Sequence, residues 1–343
     1  MTGGDPTEII QSDTITDVER KEWENLVGTK DIERSYSWYK TIEVSGMRDM
    51  HYLFLREKGH LVAAVCCFPF KEKMYVEMPF LEIRSPLGTN LAFYSQTSEQ
   101  AHFLLGGLEK IRKEVKASGL MIMDMKKEEL TSLKSEIEGF TGFQVDDNTY
   151  MDLNFSDFED YLGFLDGKSR RSVRITLNRA EKLGITCVFS HDFLRWKDTA
   201  RRLQKYLCDH FNDYRWYLSE EFFSALEMNL KDEAELVLFF KDDIPLVFGL
   251  SLNSPGICQY KFTGIDPKYR DYQAYFLVYY EGIRRAIEKR QKRIYFGPST
   301  YEFKDKIGCK REGVFGLASL RNPFLNIVLK TYVKALARFG KRL

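Results

Sequence analysis

The chain has no long hydrophobic run. Its most extended apolar stretch, Leu61 to Phe70, is far shorter than the roughly 20 residues that cross a bilayer, so no transmembrane helix is expected. The N-terminal segment, Met-Thr-Gly-Gly-Asp-Pro-Thr-Glu, lacks the basic cluster and following apolar stretch of a secretory signal, which makes the cytoplasm the expected compartment. Charge of one sign is also missing in excess: Lys and Arg number 51, Asp and Glu 50. That excludes a broadly basic surface for coating nucleic acid, and any phosphate recognition must be local. The six cysteines (Cys66, Cys67, Cys187, Cys208, Cys258, Cys309) include no C-x-x-C pair, which argues against a zinc site or a disulfide framework. The five histidines (His51, His60, His102, His191, His210) form no H-x-x-x-H or H-x-H spacing, so no metal is expected.

What the chain does have is apolar content and repetition. Hydrophobic residues make up 44% of its 343 positions, enough for about two packed domains. Residues 52–66, YLFLREKGHLVAAVC, and 237–251, VLFFKDDIPLVFGLS, each read as two strands around a charged turn. At a constant offset of 185, Leu53, Phe54, Leu61 and Val62 fall on Leu238, Phe239, Leu246 and Val247. At an offset of 173, residues 101–124 match 274–297, with Ala101, Phe103, Leu104, Arg112 and Lys116 recurring as Ala274, Phe276, Leu277, Arg285 and Lys289. Each of these blocks reads as a helix running into a short buried strand. Two blocks in the same order predict a tandem duplication of a strand-turn-strand, strand, helix, strand unit. Between the copies, Asn154–Asp160 supplies capping residues, 168–185 reads as a helix stopped by Gly184, and 192–210 and 219–231 read as two more helices.

Three features resemble the GNAT acyltransferase superfamily, specifically its tandem branch of Fem-type peptidyltransferases and FemAB-like acyltransferases. They are the duplicated unit, the helix KSRRSVRITLNRAEKLGI (168–185), and the strand and turn RIYFGPSTYEFKDKIG (293–308). The resemblance implies an α/β (α+β) fold of two GNAT-like domains, each a mixed, mostly antiparallel sheet flanked by helices. The expected boundaries are 1–150, 151–320 with the active cleft, and a basic amphipathic C-terminal helix at 321–343. It also implies a direct-transfer enzyme in which an amine attacks an activated acyl carbonyl. Such a site needs donors for the oxyanion, a neutral amine and an acid for the leaving group.

The resemblance points to the strand Ile257–Gly264 as a source of backbone donors, with Tyr260 or Lys261 on the site face. Tyr301 falls where a family tyrosine protonates the leaving group, and Lys304 falls in the F-K-x-x-x-G turn, suited to a phosphate or a negative charge. His210, in the aromatic and acidic stretch 209–217, is a candidate base. Cofactor-binding candidates are Arg270, which opens the stretch aligned with the CoA loop, and Arg170, Arg171 and Arg174 on the basic helix. In that loop Gln273 and Tyr275 replace the family's small residues. No tightly bound cofactor is expected; the co-substrate is an acyl-CoA, slightly favoured, or an aminoacyl-tRNA. The expected acceptor is an amine, for which a lipid-linked or cell-envelope precursor would fit. The C-terminal helix, with the stripe Leu325, Val328, Leu329, Tyr332, Leu336 and Phe339, suits docking on the protein or peripheral contact at the inner membrane face. The competing class is a non-catalytic binding protein on a degenerate GNAT scaffold.

Overall fold

The computed structural model describes residues 7–73 and 77–338. Its strands, in chain order, are β1 (Glu8–Ser12), β2 (His51–Glu57), β3 (His60–Lys73), β4 (Glu77–Ile83), β5 (Phe93–Tyr94), β6 (Gly119–Met125), β7 (Thr141–Gln144), β8 (Asn148–Asp152), β9 (Ile185–Ser190), β10 (Ala234–Lys241), β11 (Ile244–Ser254), β12 (Ile257–Ile265), β13 (Arg293–Gly297), β14 (Lys310–Glu312) and β15 (Phe315–Leu320). They form two sheets, ordered β1-β2-β3-β4-β6-β15-β7 (with β5 against β3) and β9-β10-β11-β12-β13-β8-β14.

The repeat is realised strand for strand. Both charged turns close antiparallel hairpins, β2/β3 and β10/β11, with Lys58 and Gly59 (φ 52° and 80°) and Asp242 (φ 54°) in the left-handed region that tight hairpins use. Each sheet contains a parallel pair, β4 with β6 and β12 with β13. A parallel pair needs a crossover, and the helices Ser98–Glu114 and Ala274–Glu288 supply it. Helix Gly167–Lys182 begins at Asp166, whose carboxylate accepts from the amides of Lys168 and Ser169, and gives way at Gly184 (φ 66°). The other intervening helices are Phe158–Phe164, capped by Asp157, then Phe193–Phe211 and Glu220–Asn229.

The units do not follow the linear boundaries. One comprises residues 1–29, 33–147 and 312–343; the other comprises 30–32 and 148–311. Residues 315–320, assigned from sequence to the second domain, form β15 between β6 and β7 in the first sheet. β8, which straddles the expected boundary at residue 150, lies wholly in the second sheet beside β13. A strand's pattern shows which face is apolar but not which edge it joins, and an edge offering unpaired amides accepts any strand of fitting pattern.

The C-terminal helix spans Pro323–Arg338 in the first unit. Only part of its expected stripe is covered: Leu329 is buried against Phe80, Met121, Phe143 and Leu320, with Val333 beside it, whereas Leu325 and Val328 are exposed. Phe339 lies outside the described residues.

Candidate active site

The second unit's core packs helix Ala274–Glu288 on β11 to β13 through Leu277, Val278, Ile283 and Ile287. Pairing of β12 with β13 stops at Gln259 and Tyr295, so the strands part while β12 continues to Ile265. A register shift opposite Leu250 and Ser251 leaves Lys261 in a bulge. Neither Tyr260 nor Lys261 lines the cavity described below. Tyr260 packs beneath the crossover helix, where a methyl group on Gly282 would lie 2.6 Å from its Cζ. Burial pushes its phenol well above the usual value.

After β13 the chain turns sharply. Gly297, Ser299 and Thr300 have φ of 69°, 74° and 47°, and such backbone is costly for a β-branched threonine. Lys304, on the short helix Tyr301–Lys306, holds the turn: its Nζ donates to the carbonyls of Phe296, Gly297 and Pro298, each at 2.9 Å. Thr149 Oγ1 donates to the Gly297 carbonyl as well. Only 1% of Lys304 is exposed, and burial pulls its ammonium down to about 8, a cost the three carbonyl oxygens partly offset. An ammonium saturated by backbone carbonyls positions the turn rather than meeting a phosphate.

The turn forms one wall of a cavity of about 600 Å³. Thr300, Tyr301, Glu302, Phe303 and Lys306 line this wall, Gln273, Phe276 and Tyr280 line the second, and Ser172 and Thr176 of helix Gly167–Lys182 close the third. The Thr176 hydroxyl donates to the Ser172 carbonyl (3.2 Å), with the Gln273 Oε1 at 3.5 Å. Burial pushes the Tyr280 phenol up to about 12, against the opposing pull of the Thr176 hydroxyl. The Arg311 guanidinium lies 4.6 Å over the Tyr301 ring. The lining is rich in hydroxyls, with Glu302 and Lys306 as its charged groups, which suits a polar ligand.

Of the sequence-derived candidates, Tyr301 alone lines this cavity. Lys304 braces the turn behind it. Tyr260 is separated from it by rings, Tyr260 to Phe296 to Tyr279 to Phe303, at centroid distances of 5.6, 5.0 and 5.0 Å. His210 is exposed near the end of its helix against Phe211. Arg270 is exposed in the turn Pro267–Tyr272, Arg171 is exposed, Arg170 donates to the Leu165 carbonyl (3.1 Å), and Arg174 pairs with Glu159 (2.7 Å). None of the four arginines lines the cavity. Sequence reading missed Ser172, Thr176 and Tyr280, and noted Gln273 only as a departure from the CoA loop. The signal for the first two was their i, i+4 spacing on a face other than the one Arg171 and Arg174 occupy.

In the first unit, the loop after β4 is closed by the protein itself. The buried Glu33 carboxylate accepts from the Thr89 amide (2.6 Å) and the Asn90 side chain (2.8 Å), and Trp38 Nε1 donates to the Pro86 carbonyl (2.9 Å). A side-chain carboxylate thus takes an amide that a bound anion would need. Among the described residues, no cluster of three or more His, Cys, Asp or Glu is placed to hold a metal ion.

Two mixed sheets, each with a crossover helix, flanking helices and a parallel pair, define a tandem GNAT-like fold. FemX matches with a TM-score of 0.61 at 15% identity, covering 94% of this chain and all of FemX. A tandem GNAT protein from the clavulanic acid biosynthesis pathway matches at 0.59 and 9% identity, covering 93% of this chain and 99% of its own. A conserved protein of unknown function from Bacteroides thetaiotaomicron matches at 0.59 and 12% identity, covering 92% and 100%. No curated protein sequence matches this one. Residues 68–339 match the FemAB-like family, described as peptidoglycan biosynthesis/recognition, and the chain belongs to that family. Family and fold together support a transferase of acyl or aminoacyl type.

Proposed function

We propose that the protein is an N-acyltransferase whose reaction chamber is the second unit's cavity. The observation that carries this reading is the placement of the Tyr301 side chain in the cavity wall, on a strained turn braced by three carbonyl bonds to Lys304. The acceptor amine attacks the donor carbonyl, forming the C–N bond. Hydroxyl donors of the cavity wall, Tyr280 among them, stabilise the oxyanion, and the C–S or C–O bond breaks as Tyr301 protonates the leaving group. The amine's proton leaves to solvent, and Tyr301 is then reprotonated.

The donor we favour is an acyl-CoA, since the near-neutral chain offers no broad basic surface for a tRNA. The specific observation favouring an aminoacyl-tRNA is that Gln273 and Tyr275 begin the crossover helix where CoA users have small residues. Closure of the first unit's loop by Glu33 supports a single donor site. The test is a thermal-shift and transfer assay with both donor classes. A true donor at about a hundred times its Kd adds about 2.7 kcal/mol of stability. If neither class raises Tm nor is consumed with any amine, the chain is a binding protein on this scaffold and the proposal fails.

A further inference from the structure

Helix Pro323–Arg338 presents two apolar faces, and the fold uses one. Leu329 is 3% exposed, inside the cluster of Phe80, Met121 and Phe143. Phe324, Ile327 and Val328 stand 68%, 64% and 48% exposed on the first turns, at the i, i+3, i+4 spacing of one helical face. From Arg321 onward the sequence contains no Asp or Glu, while Arg321, Lys330, Lys334 and Arg338 supply cations, and Lys341 and Arg342 follow outside the described residues. Lys330, Lys334 and Arg338 are spaced by four and exposed, so they form a row along the helix beside the uncovered apolar face.

We propose that this helix docks on an anionic lipid surface, with Phe324, Ile327 and Val328 entering the interfacial layer and the row Lys330, Lys334, Arg338 meeting the headgroups. Charge complementarity selects the occupant. A purely cationic segment would suit a nucleic acid, but phosphates give no reason for three large apolar side chains at its head. An apolar patch alone would suit a second copy of the chain, but a row of like charges beside it would face itself across a two-fold axis. Apolar residues and cations on one exposed helix are what an interfacial helix requires. Among the described residues no helix is long and apolar enough to cross a membrane, so the contact is peripheral.

The test is flotation of the full chain with phosphatidylcholine vesicles, with and without phosphatidylglycerol. The expected result is binding to the anionic vesicles only, weakened by salt. Phe324→Ser with Ile327→Ser should cut the partition coefficient by about tenfold or more at an unchanged Tm, since both side chains face solvent. Lys330→Gln with Lys334→Gln should cut it and flatten its salt dependence. Three results overturn the proposal: no flotation with anionic vesicles; a serine variant that floats like the parent; or a doubled mass in solution that the serine variant halves, which would make the face a dimer contact.

Discussion

At the scale of the residue, Lys304 and Tyr301 divide the work of one motif. The F-K-x-x-x-G segment was legible in sequence, but a lysine's partners are not, because its long stem can send the ammonium to solvent or to the core. Here it reaches three carbonyls, and Lys304→Met should destabilise the protein by about 3 kcal/mol in urea denaturation, the order expected for lost bonds to a charged donor. Burial lowers its pKa from 10.5 to about 8, so between those values the unfolded chain binds more protons at this position than the folded one. Stability from this position therefore rises as pH climbs from 8 towards 10.5, and the parent should gain on Lys304→Met across that window. Tyr301→Phe should keep the ring beside Arg311 and lower kcat by about 100-fold in the transfer assay, the usual scale for losing a general acid. An unchanged kcat would remove Tyr301 from the reaction.

At the scale of the element, alternation and helical periodicity located the hairpins, the crossover helices and the basic helix, because each buries a face its own spacing defines. Close approaches between elements were not legible. Gly264 of β12 lies against helix Phe193–Phe211, where an added methyl would sit 2.3 Å from the Gln204 backbone nitrogen. At Gly282 the obstruction is the Tyr260 ring at 2.6 Å, a side chain that can shift. Gly264→Ala should therefore cost about 3 kcal/mol and Gly282→Ala about 1, the latter softened by alanine's helix propensity. Equal losses in denaturant melts would show that helix Phe193–Phe211 yields as easily as a ring. The C-terminal helix shows the same division: amphipathicity was readable, but which of its two apolar faces meets the sheet depends on where Phe80 and Phe143 stand.

At the scale of the whole molecule, the first sheet is completed by β15, about 170 residues of chain beyond β7. A chain ending at residue 311 should leave β6 and β7 without the strand between them. In hydrogen exchange their amides should lose protection while β10 to β12 keep theirs; retained protection in β6 would contradict the pairing. By itself the sequence determined the duplicated unit, its order of strands and helices, and its family, because these rest on local patterns of polar and apolar residues. That β15 completes the first sheet, that all of β8 joins the second, and that Tyr301 rather than Tyr260 or His210 meets the cavity was settled by the folded chain alone. Strand partners and side-chain direction depend on contacts far apart in the chain, and a local pattern carries no record of them.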